Sequence, residues 1–202
     1  MRRVYVYVDG FNFYHAIDDI GEDSLKWVNL WALSESIISP NETLYAVKYF
    51  SAYATWHPSG YARHRHYIAA LEAESVTVIM GSFKEKWIEC RLCKKTFKTH
   101  EEKETDVNIG IHLVADALND KFDRALVISA DSDLRVAVDL AKKMAPNKAI
   151  NVAAPPGRFS FARDLNPLFS ITKGRVRASR LEDQYVDGDG SVIAEVPEKY
   201  RI

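Results

Sequence analysis

The stretch Ala125-Leu-Val-Ile-Ser-Ala-Asp-Ser-Asp-Leu134 narrows the choice of fold more than any other part of the chain. The apolar run Ala125 to Ile128 has the length of a buried strand and gives way at once to small polar residues and two carboxylates, Asp131 and Asp133. Leu134, Val138 and Ala141 then recur at helical spacing. Strand, acidic turn, helix is how an open α/β sheet presents a ligand site, outside the carboxyl ends of its strands. Two carboxylates this close each favour protonation of the other unless a cation lies between them. Taken alone, Asp131 and Ser132 would serve equally well as helix caps. The two readings separate only if further carboxylates reach the same edge.

The rest of the chain supplies the sheet. Strands are predicted at Arg3–Val8, Thr43–Tyr53, Val76–Phe83, Lys148–Ala153 and, shorter, Leu168–Thr172. Between them lie helical patterns: Phe11, Tyr14 and Ile17; a helix capped by Asn29 and running to Ile38; Tyr61 to about Glu74; and Thr105 to about Asn119. In the last of these, Val107, Ile111, Val114 and Leu118 make a stripe expected to face the core. A short helix is expected at Phe159–Leu165. Such alternation implies right-handed crossovers and a three-layer α/β/α sandwich around a mostly parallel sheet. Residues 1–175 are expected to form that domain, with a charged, cysteine-containing insertion at about 84–103, read as a loop or small hairpin, and 176–202 as a polar tail. A chain of 202 residues, 47% hydrophobic, can bury one sizeable core. Its 27 Lys and Arg against 28 Asp and Glu announce no polyanion partner through overall charge, so any nucleic-acid surface must be local. No run is long enough to span a membrane, and the apolar part of Met1–Asp9 is too short for a signal peptide. A cytoplasmic location without membrane attachment is the expectation.

In a parallel sheet every strand-to-helix junction lies on one edge. Asp9 closes the first strand, Asp131 and Asp133 follow the fourth, and the helix beginning near Thr105 runs back so that Asp106, with Glu104 before it, reaches the same edge. Carboxylates gathered in this way repel unless they hold a hard cation, and Mg²⁺ or Mn²⁺ suits oxygen ligands with retained waters. Such an ion activates water and stabilises charge on a phosphate oxygen. Asn12 is placed to hold Asp9 or a substrate phosphate, and Ser129 and Ser132 to hydrogen-bond the carboxylates; local capping is the plainer role for all three.

Two further groups bear on function. Cys90-Arg-Leu-Cys93 has the spacing of half a tetrahedral zinc site. His100 is the nearest further ligand and His57 a fourth if its loop folds over the third strand, with His64 and His66 as candidate ligands that would point off a helix, or a second chain could supply a matching pair in a homodimer. A redox role would need the pair at a helix start, and two surface thiols are the plain reading. Basic residues interleaved with aromatics suit single-stranded RNA. Arg63 and Arg65 stand beside Tyr61 and Tyr67, while Arg158 and Arg163 flank Phe159 and Phe161 at the expected active edge. Lys94, Lys95 and Lys98 read as ordinary surface, and Asp187-Gly-Asp-Gly-Ser191 as a turn, since Val192 stands where a calcium loop needs glycine.

Tyr7-Val-Asp-Gly-Phe-Asn-Phe13, Glu102-Lys-Glu-Thr-Asp-Val107 and Ile128-Ser-Ala-Asp-Ser-Asp-Leu134, in this order, resemble the signature blocks of NYN-domain proteins, the LabA-like branch of the PIN-like nuclease superfamily. The resemblance implies helices around a parallel sheet and metal-dependent ribonuclease chemistry. It places the family's acidic residues on Asp9, Asp106, Asp131 and Asp133, and its motif asparagine on Asn12. Ala130 stands where the pattern usually has Gly, and Leu134 where it has Phe; neither removes a carboxylate. The expected function is a Mg²⁺- or Mn²⁺-dependent (endo)ribonuclease. An inactive RNA- or protein-binding relative is one alternative. A metal enzyme acting on a small nucleotide or heteroaromatic is another, its pocket lined by aromatics such as Trp27, Trp31, Trp56 or Trp87, and a closed pocket would favour it.

Overall fold

Strand β1 (Arg2–Asp9) divides the core in two. Successive side chains of a strand point to opposite faces, so Val4, Val6 and Val8 enter one apolar cluster while Tyr7, flanked by Tyr5, enters the other. The computed structural model describes residues 1–202. It is a three-layer α/β/α sandwich. After β1 come α1 (Gly10–Asp18), α2 (Leu30–Ile37), β2 (Glu42–Ser51), α3 (Pro58–Ala73) and β3 (Thr77–Met80). A hairpin of β4 (Ser82–Glu89) and β5 (Thr96–Lys103) leads to α4 (Thr105–Leu118), β6 (Arg124–Ile128), α5 (Arg135–Met144), β7 (Ala149–Ala154) and β8 (Phe169–Ser170). The chain ends with α6 (Lys173–Ala178) and a second hairpin, β9 (Gln184–Val186) and β10 (Val192–Glu195). Helices α1, α2 and α3 cover one face of the sheet, α4 and α5 the other.

The central sheet has six strands in the order β3-β2-β1-β6-β7-β8, every neighbour parallel. Strand order reverses at β1, where β1 and β6 run side by side with Val8 opposite Ile128. Asp9 and the Ser129–Asp131 turn therefore leave the sheet together, at the crevice where open α/β sheets bind ligands. Asn29 caps α2 as expected, accepting from the Ala32 N–H at 3.0 Å.

Four expectations are corrected. The predicted strand Val76–Phe83 breaks at Gly81, where a Cβ would lie 2.7 Å from the Lys103 carbonyl oxygen; glycine lets the chain turn there into the hairpin. On α4, Val107, Ile111 and Leu118 are exposed, and Thr105, Ile109, Leu113 and Ala117 face the core. The helix is fixed in rotation by a cap at Thr105 and by close packing of Gly110 on Ala137, 3.0 Å from where a Gly110 Cβ would stand. Phe159–Leu165 forms only a 3₁₀ turn, Arg163–Leu165. Residues 176–202 are no free tail: Val176, Leu181, Ala194, Val196 and Tyr200 are buried in the α1–α3 side of the core, and β10 lies along α3.

Candidate active site

Asp9 ends β1 and caps α1. Its Oδ1 accepts from the Asn12 N–H at 3.0 Å and its Oδ2 from the Ser129 hydroxyl at 2.7 Å. Ser129 Oγ in turn accepts from the Asp131 N–H at 3.0 Å, so one buried serine ties the ends of β1 and β6 together. The Asn12 side chain completes the tie, its Oδ1 accepting from the Ala130 N–H at 2.9 Å. Asn12 is thus a positioning residue, joining α1 to the acidic turn. Ala130 lies outside the left-handed region of backbone space, which is why a methyl group is tolerated where the motif usually carries glycine. Leu134 is buried against α4 and α5 and takes the place of the usual aromatic in that cluster. Gly10 lets α1 begin hard against β2; a Cβ there would meet the Phe50 carbonyl oxygen at 2.5 Å.

Asp9, Asp106 and Asp131 line one cleft of about 710 Å³, together with Asn12, Glu102 and Arg158. Burial pushes the Asp9 carboxyl up to about 7, with Asp106 and Asp131 adding to the rise and the bonds from Asn12 and Ser129 opposing it. Asp106 is pushed up to about 6, by burial and then by Asp131, Glu102 and Asp133. Carboxylates that raise one another in this way form an electrostatic unit that invites a cation. Asp133 is exposed, turns away from the cleft wall, and reaches the unit only through its charge on Asp106 and through its N–H, which donates to Asp131 Oδ1 at 3.0 Å.

Glu102 was not foreseen as a member. Its Oε1 accepts from the Thr105 N–H at 3.0 Å and from the Thr105 hydroxyl, capping α4 and so aiming Asp106. The sequence signal for it is a carboxylate three residues before a helix-starting Thr, with Glu104 as a competing carboxylate nearer the helix start. Glu104 is exposed and takes a left-handed backbone instead. His15 and His100 also reach the cleft wall.

The donor set fits a hard divalent cation: every close charged ligand is a carboxylate oxygen. The side chains share the cleft but do not converge as a complete shell; nowhere in the chain do three or more His, Cys, Asp or Glu side chains do so. The same fact corrects the zinc set of Cys90, Cys93 and His100. The cysteines sit at the tip of the β4–β5 hairpin, beyond the Glu89–Thr96 pair, while His100 lies opposite Glu85 and stacks on Trp56 at 3.6 Å between ring centres. His57 caps α3 through Gly60, His64 is inside the fold beside Ser51, and His66 accepts from the Glu195 N–H, so none can replace it.

Among the basic residues, Arg158 is at the cleft, ion-paired with Asp19 and 5.3 Å from the centre of the Phe161 ring. Arg163 is exposed in its 3₁₀ turn and does not line the cleft. Arg65 is exposed over the Tyr61 ring. Arg63 points elsewhere, into the wall of a second cavity.

The NYN-domain family model matches residues 3–165. The chain belongs to the NYN-domain family. A crystal structure of a protein of unknown function from Vibrio parahaemolyticus superimposes on this NYN domain with a TM-score of 0.54 at 17% identity, over 85% of this chain and 93% of that one. At that identity the likeness concerns the fold alone. Among curated proteins none matches. The match of the NYN domain stops at residue 165, so the C-terminal segment that packs on α3 lies outside it.

Proposed function

We propose that this NYN domain is a divalent-metal-dependent nuclease that hydrolyses phosphodiester bonds, with RNA as substrate. The observation that carries the reading is the carboxylate cleft at the β1/β6 switch point, where burial and the neighbouring carboxylates, Asp131 acting on both, raise Asp9 to about 7 and Asp106 to about 6. Asp9, Asp106 and Asp131 would hold Mg²⁺ or Mn²⁺, and the ion would supply an activated water and charge stabilisation on the phosphate. The chain's own groups do the rest. Ser129 and the Asn12 N–H fix the Asp9 carboxylate, Glu102 fixes the helix that carries Asp106, and Arg158 at the cleft rim would exchange its ion pair with Asp19 for a phosphate. No helix is long and apolar enough to cross a membrane.

The cysteine pair supports a secondary, structural reading. The N–H groups of Cys93 and Leu92 point at the Cys90 sulfur and pull its thiol below the usual range, which favours the thiolate form that a metal would bind. A single chain offers only this pair, so a zinc here would be shared with a second copy.

Purified protein incubated with mixed RNA and DNA tests the main reading. Cleavage of RNA with Mn²⁺, lost with EDTA and lost in a folded Asp131→Asn variant, is the expected result. Undiminished turnover by Asp131→Asn would remove the carboxylate site. RNA binding without cleavage under any metal would favour a binding module instead.

A further inference from the structure

On the far side of Phe11 from the carboxylates lies a second cavity of about 310 Å³, enclosed by α1, α3, the end of β2 and Tyr200 from the C-terminal segment. Phe11 lines both spaces, so the two are neighbours across one ring. Their chemistry is opposite. The cleft is walled by Asp9, Glu101, Glu102, Asp106 and Asp131, whereas no carboxylate lines the cavity. Its walls are aromatic, with Phe13, Tyr49, Trp56 and Tyr67 among them, and Lys26 and Arg63 as cations. Lys26 is already ion-paired with Asp18 and Asp23. Arg63 has no carboxylate partner: its guanidinium hydrogen-bonds the Tyr200 hydroxyl, and its Nε is the one buried side-chain nitrogen or oxygen in the molecule without a hydrogen-bond partner. His64 is kept neutral by burial, which pushes it down to about 4, and stands 3.5 Å from Ser51 Oγ. The cavity thus offers flat apolar faces and neutral hydrogen-bonding edges beside one cation.

The geometry points to a nucleobase subsite: a planar heteroaromatic base, carried on a phosphate, seats in this cavity while the phosphate lies toward the carboxylate cleft. The volume is at the small end for ligand sites and suits one base rather than a strand. Stacking on aromatic faces is how proteins hold unpaired bases, and neutral edge groups read them by hydrogen bonds. The aromatic chain Phe11–Phe83–Trp56, with centres 5.5 and 4.6 Å apart, forms the partition over which a base would pass. This deepens the nuclease reading and rests on it for the role of the phosphate. The base itself has two sources, a free nucleotide or one residue turned out of a single strand.

The test is binding in EDTA, followed by Trp fluorescence or calorimetry. The four nucleoside monophosphates are compared with ribose 5-phosphate, and a short RNA with copies carrying one abasic residue at each position. At least one nucleotide should bind about tenfold or more tighter than ribose 5-phosphate. Ala54→Phe, which fills the cavity, and Trp56→Ala, at an exposed indole, should erase that difference, while Asp131→Asn keeps it. If the source is a strand, an abasic residue at one position weakens RNA binding by a similar factor. If the source is a free nucleotide, only the mononucleotides respond. Equal binding of ribose 5-phosphate and every nucleotide, with no abasic effect, would overturn the subsite. So would parent-like affinity in a folded Ala54→Phe variant. Base-dependent binding by a protein that cleaves nothing would remove the nuclease reading and leave the subsite standing. Cleavage with no base dependence would do the reverse.

Discussion

Asp9 is the residue whose environment has the clearest thermodynamic consequence. Its carboxyl titrates near 3.8 when unfolded and is raised to about 7 in the fold. Between these values the folded chain holds a proton that the unfolded chain has lost, so the contribution of Asp9 is fully present below pH 3.8 and is lost as pH rises through 7. The full swing is about 4 kcal/mol for the metal-free protein. Asp9→Asn should therefore raise the stability of EDTA-treated protein at pH 8 and flatten its decline from pH 5. The amide can still cap α1 through its oxygen and donate to Ser129, so the fold survives the change. Urea unfolding of parent and variant at several pH values decides it; identical slopes would show that Asp9 does not titrate there. At the cleft rim, Arg158→Ala should weaken RNA binding and shallow its dependence on log[salt] by about 0.7, the value for one phosphate on a single strand. An unchanged slope would take Arg158 out of the interface. That Asp9, Asp106 and Asp131 meet was legible in the sequence, because strand-to-helix junctions of a parallel sheet share an edge. That Asn12 works through Ala130, and Glu102 through Thr105, was not, since each bond depends on the angle at which a helix starts.

Among the elements, strands and helices could be placed from pattern, but their rotation and reach could not. Helix α4 carries apolar residues on two faces, and periodicity cannot choose between Val107–Ile111 and Ile109–Leu113. The choice is made by its cap and by the close Gly110–Ala137 contact with α5. The β4–β5 hairpin shows the same limit. Its charged strands and cysteines marked it as an insertion, yet ligand proximity depends on register. With Glu85 opposite His100 and Glu89 opposite Thr96, the imidazole lies a further four residues down the strand from Thr96, about 13 Å from the tip. Zinc at Cys90 and Cys93 must then be shared, and elemental analysis of protein purified without chelator should find about one zinc per two chains, in a dimer. Cys93→Ser should lose zinc and dimer together. Zinc-free protein with two freely titrating thiols would exclude the shared site.

At the scale of the whole molecule, the C-terminal segment belongs to the domain and closes one of its cavities. Its buried residues Leu181, Ala194, Val196 and Tyr200 are few and separated by the largely polar run Glu182–Ser191, so composition reads the segment as a tail even though Val192, Ala194 and Val196 alternate as in a strand. The four are buried because a ready-made groove exists on the α1–α3 face. The Trp27 indole N–H donates to the Glu182 carbonyl at 2.8 Å, the Tyr67 hydroxyl lies beneath the same region, and the Glu195 N–H donates to His66. Removing residues 176–202 would uncover Trp27 and leave its N–H without a partner, besides deleting the buried Leu181, Val196 and Tyr200 side chains. Burying a large apolar side chain is worth about 1.5–3 kcal/mol, so these three together account for about 4–9 kcal/mol, comparable to the whole stability of many domains. A chain ending at residue 175 should therefore lose its cooperative unfolding transition, whereas deletion of the exposed Ile202 alone should leave the midpoint unchanged. Thermal and urea unfolding of the two truncations gives the answer. A cooperative transition at the parental midpoint in the 1–175 chain would mean that the segment merely rests on the domain, and that Tyr200 closes the cavity without holding up the fold around it.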